Sequence, residues 1–184
     1  VANTVESIIE AFHASIEDGI SEESHATLVN WINEAQDLIA HVYGPIAKVS
    51  FASAKAGQSS ALPLDCLAIA AVEKVGEKEP YLRYLITEYG FIRFEEDGDY
   101  DVHYHKVPAR IPFDNMAAVP EVHLAFHPII HQYLLHKFYS KDPDSGPGES
   151  NLAEAGRARF YEGVFMVAKS LRTRARPSRK IRKA

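Results

Sequence analysis

The residues best equipped for chemistry are histidines. His123, His127 and His131 fall at every fourth position. On a continuous helix that spacing puts them on one face, and an i, i+4 histidine pair can ligate zinc, as in a small metal-dependent enzyme. Two features count against such a site. No Glu follows His127 as it would in a His-Glu-x-x-His motif, and Pro128 disturbs the helix between the second and third rings. Partly buried or interfacial histidines are the preferred reading, and no metal is assigned. His103 and His105 lie two apart in a strand-like run and so share a face. They suit either a pH-sensitive contact or, as preferred, a half-exposed sheet surface.

Glu95, Glu96, Asp97, Asp99 and Asp101 crowd one turn. Clustered carboxylates can hold a hard cation, but the longer spacing of an EF-hand loop is missing, so a solvated loop is expected. The single cysteine, Cys66, lies in an apolar stretch. It has no partner for an internal disulfide and nothing cationic beside it to favour the thiolate, so it is read as a small buried hydrophobe. The chain has no Gly-x-Ser-x-Gly, no phosphate-cradling glycine loop and no Cys–His pattern. No catalytic residue or cofactor is assigned, and a non-enzymatic role is expected.

Charge is divided unevenly. Residues 163–184 hold eight Lys and Arg and no acid, which leaves twelve Lys and Arg against twenty-five Asp and Glu in residues 1–162. An acidic body with a basic tail suits a charged partner or self-assembly. The tail, 172–184, contains Arg172, Arg174, Arg176, Arg179, Lys180, Arg182 and Lys183 together with Pro177. Such a segment cannot pack alone and is expected to stay flexible until bound. Docking to an acidic protein surface is the first reading, phosphate contact with DNA the second, and an inert solubilising tail the third.

The elements that must position these residues follow from periodicity. Length suggests one domain, and no apolar run reaches the span of a membrane helix. Val1-Ala2-Asn3-Thr4 offers neither a basic nor an apolar leader, so no secretory signal is expected. Asn3 and Glu6 have capping-box spacing, and Val5, Ile8, Ile9, Phe12 and Ile16 recur at helical intervals, which predicts a helix over 4–17. Ser21 is the expected cap of a second helix over 22–43, with Leu28, Trp31, Ile32, Ala35, Leu38, Ile39 and Val42 as its stripe and Gly44-Pro45 as its stop. The short joint predicts an antiparallel helical hairpin. Residues 46–107 change to β character. Lys55–Ser60 reads as a polar loop, and Asp97-Gly98 as the turn of a hairpin between Phe91–Phe94 and Tyr100–Lys106. Helices over 121–139 and 151–171 follow, with Pro128 kinking the first or marking its true first turn, and Ser150 or Asn151 capping the second. Leu152, Ala155, Phe160, Val164 and Val167 are the expected inward positions of the last helix, and Phe160, Tyr161 and Phe165 are read as core. The fold class is α+β, mainly α: a helical bundle with a small antiparallel β insertion over 46–107.

The order of features carries a resemblance. Leu28-Val29-Asn30-Trp31-Ile32-Asn33-Glu34-Ala35 is followed by Leu62-Pro63-Leu64-Asp65, then by Tyr100-Asp101-Val102-His103-Tyr104-His105-Lys106-Val107-Pro108, Val119-Pro120-Glu121 and Ala158-Arg159-Phe160-Tyr161-Glu162. In series these resemble the head–tail connector adaptors, or head-completion proteins, of tailed phages over roughly residues 4–171, the scale of one domain. The resemblance implies a virion structural protein of the neck, made in the host cytoplasm. Its subunits, usually twelve, would form a ring under the portal that extends the DNA channel and offers a surface to the next neck or tail protein. Residues 172–184 would then be the portal-docking arm. The acidic body fits a channel wall that lets DNA pass without sticking.

Overall fold

The computed structural model describes residues 3–16, 23–87, 90–141 and 147–175. It is a mixed α and β protein that divides into two compact units. One is Val1–Val42 with Arg110–Ala184, and the other is Tyr43–Ala109.

The first unit is helical. α1 (Val5–His13) buries Val5, Ile8, Ile9 and Phe12, the stripe its periodicity gives. Its cap is Thr4 rather than Asn3. The Thr4 backbone is extended and its hydroxyl accepts from the Ser7 N–H at 3.2 Å, satisfying one of the donors that a helix start leaves open. α1 is also shorter than the expected 4–17. α2 (His25–Tyr43) begins after Ser24, whose Oγ accepts from the Thr27 N–H at 3.2 Å. The expected cap, Ser21, lies outside the described residues. α2 buries Leu28, Trp31, Ile32, Ala35 and Ile39, and also two polar side chains, Asn33 and Gln36.

The expected helix over 121–139 starts late. A 3-10 turn (Leu124–Phe126) leads into α3 (His127–Tyr139), with Pro128 in its first turn. Pro has no N–H to donate and its φ suits a helix start, so it sets the boundary rather than a kink. α4 (Pro147–Ala175) is longer than expected at both ends. Pro147 is its first described residue, ahead of Ser150 and Asn151. Its buried positions are Ala153, Gly156, Phe160, Val164 and Ala168; Leu152 is exposed. Of the expected inward positions, Phe160 and Val164 are buried, Ala155 and Val167 are half-buried and only Leu152 is exposed; the positions not expected, Ala153, Gly156 and Ala168, are small and pack closely. A Cβ on Gly156 would lie 2.9 Å from the His136 backbone nitrogen, so α4 approaches α3 backbone to backbone there. α3 packs along α4 on one side and against α1 on the other, where Phe12 meets Phe138 edge-on at 5.7 Å. The order α1–α3–α4 thus forms a row with α3 in the middle.

Among the described residues the second unit holds six strands in two antiparallel sheets. β1 (Ile46–Ala54), β6 (Gly98–Lys106) and β3 (Cys66–Lys74) form one sheet in the order β1-β6-β3. β2 (Ser59–Ala61), β5 (Phe91–Phe94) and β4 (Tyr84–Thr87) form the other in the order β2-β5-β4. β2 overlaps the end of what reads as the polar loop 55–60. The Asp97-Gly98 turn does not close a hairpin, because β5 pairs with β2 and β4 while β6 pairs with β1 and β3. The turn carries the chain from one sheet to the other. Phe94 and Tyr100 on either side of it point inward and stack, with ring centroids 3.9 Å apart and planes nearly parallel. Val72, Tyr81, Ile92 and Val102 complete this core. Each such buried side chain contributes about 1.5–3 kcal/mol, which favours the stacked crossover over a flat hairpin with both rings exposed.

Candidate partner-binding surface

The histidines at 123, 127 and 131 have three different jobs. His123 caps the 3-10 turn, its Nδ1 accepting from the Ala125 N–H at 3.2 Å. His127 is only 1% exposed. Its Nδ1 accepts from the Asn3 N–H at 3.2 Å, so Nε2 bears the proton and donates to the Val122 carbonyl at 3.1 Å. Both ring nitrogens are committed to the backbone. His131 meets the Gln132 side chain at 2.6 Å, and burial holds its pKa below the usual histidine value. Among the described residues no three His, Cys, Asp or Glu side chains gather as a metal site would require. His103 faces Glu73 at 3.6 Å, and His105 bonds the Gly44 carbonyl at 2.7 Å beside the Tyr43 ring.

The acidic turn is a set of separate fastenings. Glu96 accepts from Lys74 at 2.7 Å and from Arg83 at 2.8 Å. Asp97 accepts from the Ala56 N–H at 2.8 Å and from Lys55 at 3.0 Å. Asp99 accepts from the Ser53 N–H at 2.6 Å, at the β1 bulge where Ser53 has φ +52°. Asp101 accepts from Ser50 at 2.6 Å and from Lys48 at 3.0 Å. These donors hold the Glu96, Asp97 and Asp101 carboxyls below the usual carboxylate range. Cys66 is half-buried rather than fully buried, and desolvation followed by the Asp65 charge pushes its thiol pKa up, away from a reactive thiolate.

Of the expected docking arm, Arg172 and Arg174 fall within α4 rather than in a flexible segment. The Arg172 guanidinium donates to the Val42 carbonyl at 2.7 Å, tying the end of α4 to the end of α2. Arg176, Arg179, Lys180, Arg182 and Lys183 lie outside the described residues.

The surface that sequence reasoning missed is on α4 itself. Phe160 is buried as expected, but Tyr161 and Phe165 are not core: they are 37% and 60% exposed. Arg157, Tyr161, Phe165 and Lys169 recur every fourth residue and form one ridge of the helix. Arg157 sits over the Tyr161 ring at 6.0 Å. Phe165, Ala168, Lys169, Arg172 and Thr173 line a shallow cleft at its C-terminal end. Among the described residues no carboxylate pairs with Arg157, Lys169 or Arg172. Aromatic rings between unpaired cations are the composition of the centre of a protein interface. The signal in the sequence was the four-residue repeat of Arg, Tyr, Phe and Lys.

Other exposed apolar side chains lie in the second unit. Leu64 is fully exposed on a turn closed by the Cys66 N–H to Pro63 carbonyl bond at 3.0 Å. Leu85 and Ile86 are exposed on β4, an edge strand, and Leu82 is exposed just ahead of it. No helix among the described residues is long and apolar enough to cross a membrane. Compared with known proteins, the chain matches no protein-family model and no curated protein.

Proposed function

We propose that this chain is a structural, non-enzymatic subunit of a tailed-phage particle, a head–tail adaptor at the neck. In this reading its helices form a bundle with the β unit inserted, and its copies assemble as a ring, of twelve subunits, below the portal protein. The ring extends the channel for genomic DNA and gives the next neck or tail protein its docking surface. The basic residues from Arg172 onward dock on the portal. The observation that carries the reading is the division of the chain: six strands inserted between helical segments, followed by the 29-residue α4 that leads into the basic residues. An exposed aromatic ridge on that helix suits a protein that works by contact.

The test is quantitative mass spectrometry of purified particles of the source virus. A fixed stoichiometry near that of the portal subunit supports a symmetric neck ring. Absence from mature particles removes the adaptor reading. The second reading is a DNA-binding accessory protein, favoured by the eight Lys and Arg of residues 163–184, among them Lys169, with which no described carboxylate pairs. It requires DNA binding that weakens steeply with salt and is lost on deleting residues 176–184.

A further inference from the structure

α4 is not the only helix of the row with an unpartnered outer face. α1, at the other end of the row α1–α3–α4, exposes Glu6 and Glu10, again four residues apart, with exposed Ala14 capping its end. Among the described residues no cation pairs with Glu6 or Glu10. The surrounding charge is one-sided. Residues 1–42 contain eight Asp and Glu and not one Lys or Arg. Three of those acids, Glu23, Glu34 and Asp37, are matched inside the unit by Lys141, Lys137 and Arg110.

We infer that the Tyr161–Phe165 ridge of α4 docks on the Glu6–Glu10 face of α1 in a second copy of this chain, head to tail. This rests on the ring reading above and names the partner of the α4 face. Three observations carry it. The charges are complementary: the ridge sets its rings between Arg157 and Lys169, and the α1 face is acidic. The shapes are complementary: Ala11 and Ala14 are exposed beside Glu10, leaving low ground for two aromatic rings. Two ridges of four-residue spacing also interdigitate in the commonest class of helix packing. The placement is complementary as well, since the two faces bound opposite ends of one row. A contact between two different patches is heterologous and repeats around a ring, whereas one patch meeting itself stops at a dimer.

The test uses the full chain in sedimentation velocity. Wild type is expected to gain mass with concentration up to about 100 μM at low salt, and to lose it as salt screens the charges. Phe165→Asp removes one face, and Glu6→Lys with Glu10→Lys removes the other. Each variant, verified as folded by circular dichroism, is expected to associate at least about tenfold more weakly. Mixed in equal amounts, the two variants keep one intact pair of faces and are expected to give dimers and nothing larger. Wild type that stays monomeric, association untouched by either variant, or a mixture that stays monomeric would each overturn the inference. The particle stoichiometry test is independent of these outcomes, so a monomer in solution sinks this contact without touching the adaptor reading.

Discussion

The side-chain amide of Asn33 pairs with both backbone polar groups of Ile111. Its Nδ2 donates to the Ile111 carbonyl at 3.0 Å and its Oδ1 accepts from the Ile111 N–H at 2.9 Å. Gln36, one turn on, donates to the same Oδ1 at 3.1 Å and accepts from the Glu121 N–H at 2.7 Å. An extended segment that returns from the β unit is thereby fastened to α2 as a strand would be to its neighbour. Both side chains are buried, so water cannot replace them. Asn33→Ala strands two backbone groups at once and is expected to cost about 2–4 kcal/mol. Urea denaturation followed by Trp31 fluorescence measures it. A loss under 1 kcal/mol, on the order of one exposed hydrogen bond, would show that the clamp carries little of the fold.

Two glycines of α4 separate backbone contact from side-chain contact. Alanine in a helix interior gains about 1 kcal/mol over glycine from propensity. At Gly156 the new Cβ meets the His136 nitrogen at 2.9 Å and the Gln132 carbonyl at 3.1 Å, both backbone atoms. Gly156→Ala must push the helices apart and is expected to destabilise the protein by about 1–3 kcal/mol despite the propensity gain. At Gly163 the new Cβ meets the Ile129 Cγ2 at 2.7 Å, a clash with a side chain rather than with backbone. Gly163→Ala is expected to cost less than Gly156→Ala. Thermal melts of the two variants side by side decide it, and the reverse order would mean that α3 and α4 slide freely.

How much of this was legible in the sequence depended on whether the cause was local. The stripes of α1 and α2 and the β run of 46–107 were legible because large apolar residues mark their period. The inward face of α4 was legible at Phe160 and Val164 but not at Ala153, Gly156 and Ala168, which bury little surface and carry little signal. They face α3 because small residues allow close approach, a fact that only the partner helix supplies. The same reading misplaced Tyr161 and Phe165, whose size suggested core. Asp97-Gly98 is a local turn signal, but it closes no hairpin: the chain bends at Glu95 and Glu96, and Gly98 already begins β6. Which sheets that bend joins was decided by Phe94 stacking on Tyr100. The Asn33 clamp could not be read at all, since its partner lies 78 residues away and is backbone.

That stack sets a third expectation. Tyr100 is fully buried in the face-to-face contact, and its hydroxyl donates to the Glu96 carbonyl at 2.8 Å. Burial, ahead of the neighbouring Tyr81, raises its pKa, so it remains neutral and a donor. Tyr100→Phe keeps the ring and loses the bond, and is expected to cost about 1 kcal/mol. Phe94→Ala opens a cavity at the junction of the two sheets and is expected to cost about 3–5 kcal/mol. Hydrogen exchange at β5 and β6 reports the effect strand by strand. Equal losses for the two variants would mean the ring contact is not what holds the crossover.

Acid should weaken the two units in different pH ranges. Burial, the leading cause at both sites, holds His131 and His136 below their ordinary value of 6.5; at His136, Arg157 and Lys137 add to it. Near that pH the unfolded chain takes up protons that the folded chain refuses. The unfolded state then binds more protons, so stability is complete above 6.5 and falls as pH drops toward the folded pKa values. The depressed carboxyls of Glu96, Asp97 and Asp101 act lower down. Their contribution is present above the ordinary carboxylate range and is lost as pH falls below about 4. Trp31, the single tryptophan, lies in the helical unit and so reports the first event. Its urea midpoint is expected to fall between about pH 7.5 and pH 5. His131→Gln with His136→Gln leaves polar side chains but removes the proton uptake, and should flatten that slope. A wild-type midpoint that is level down to about pH 5 would mean that neither histidine is held neutral by the fold.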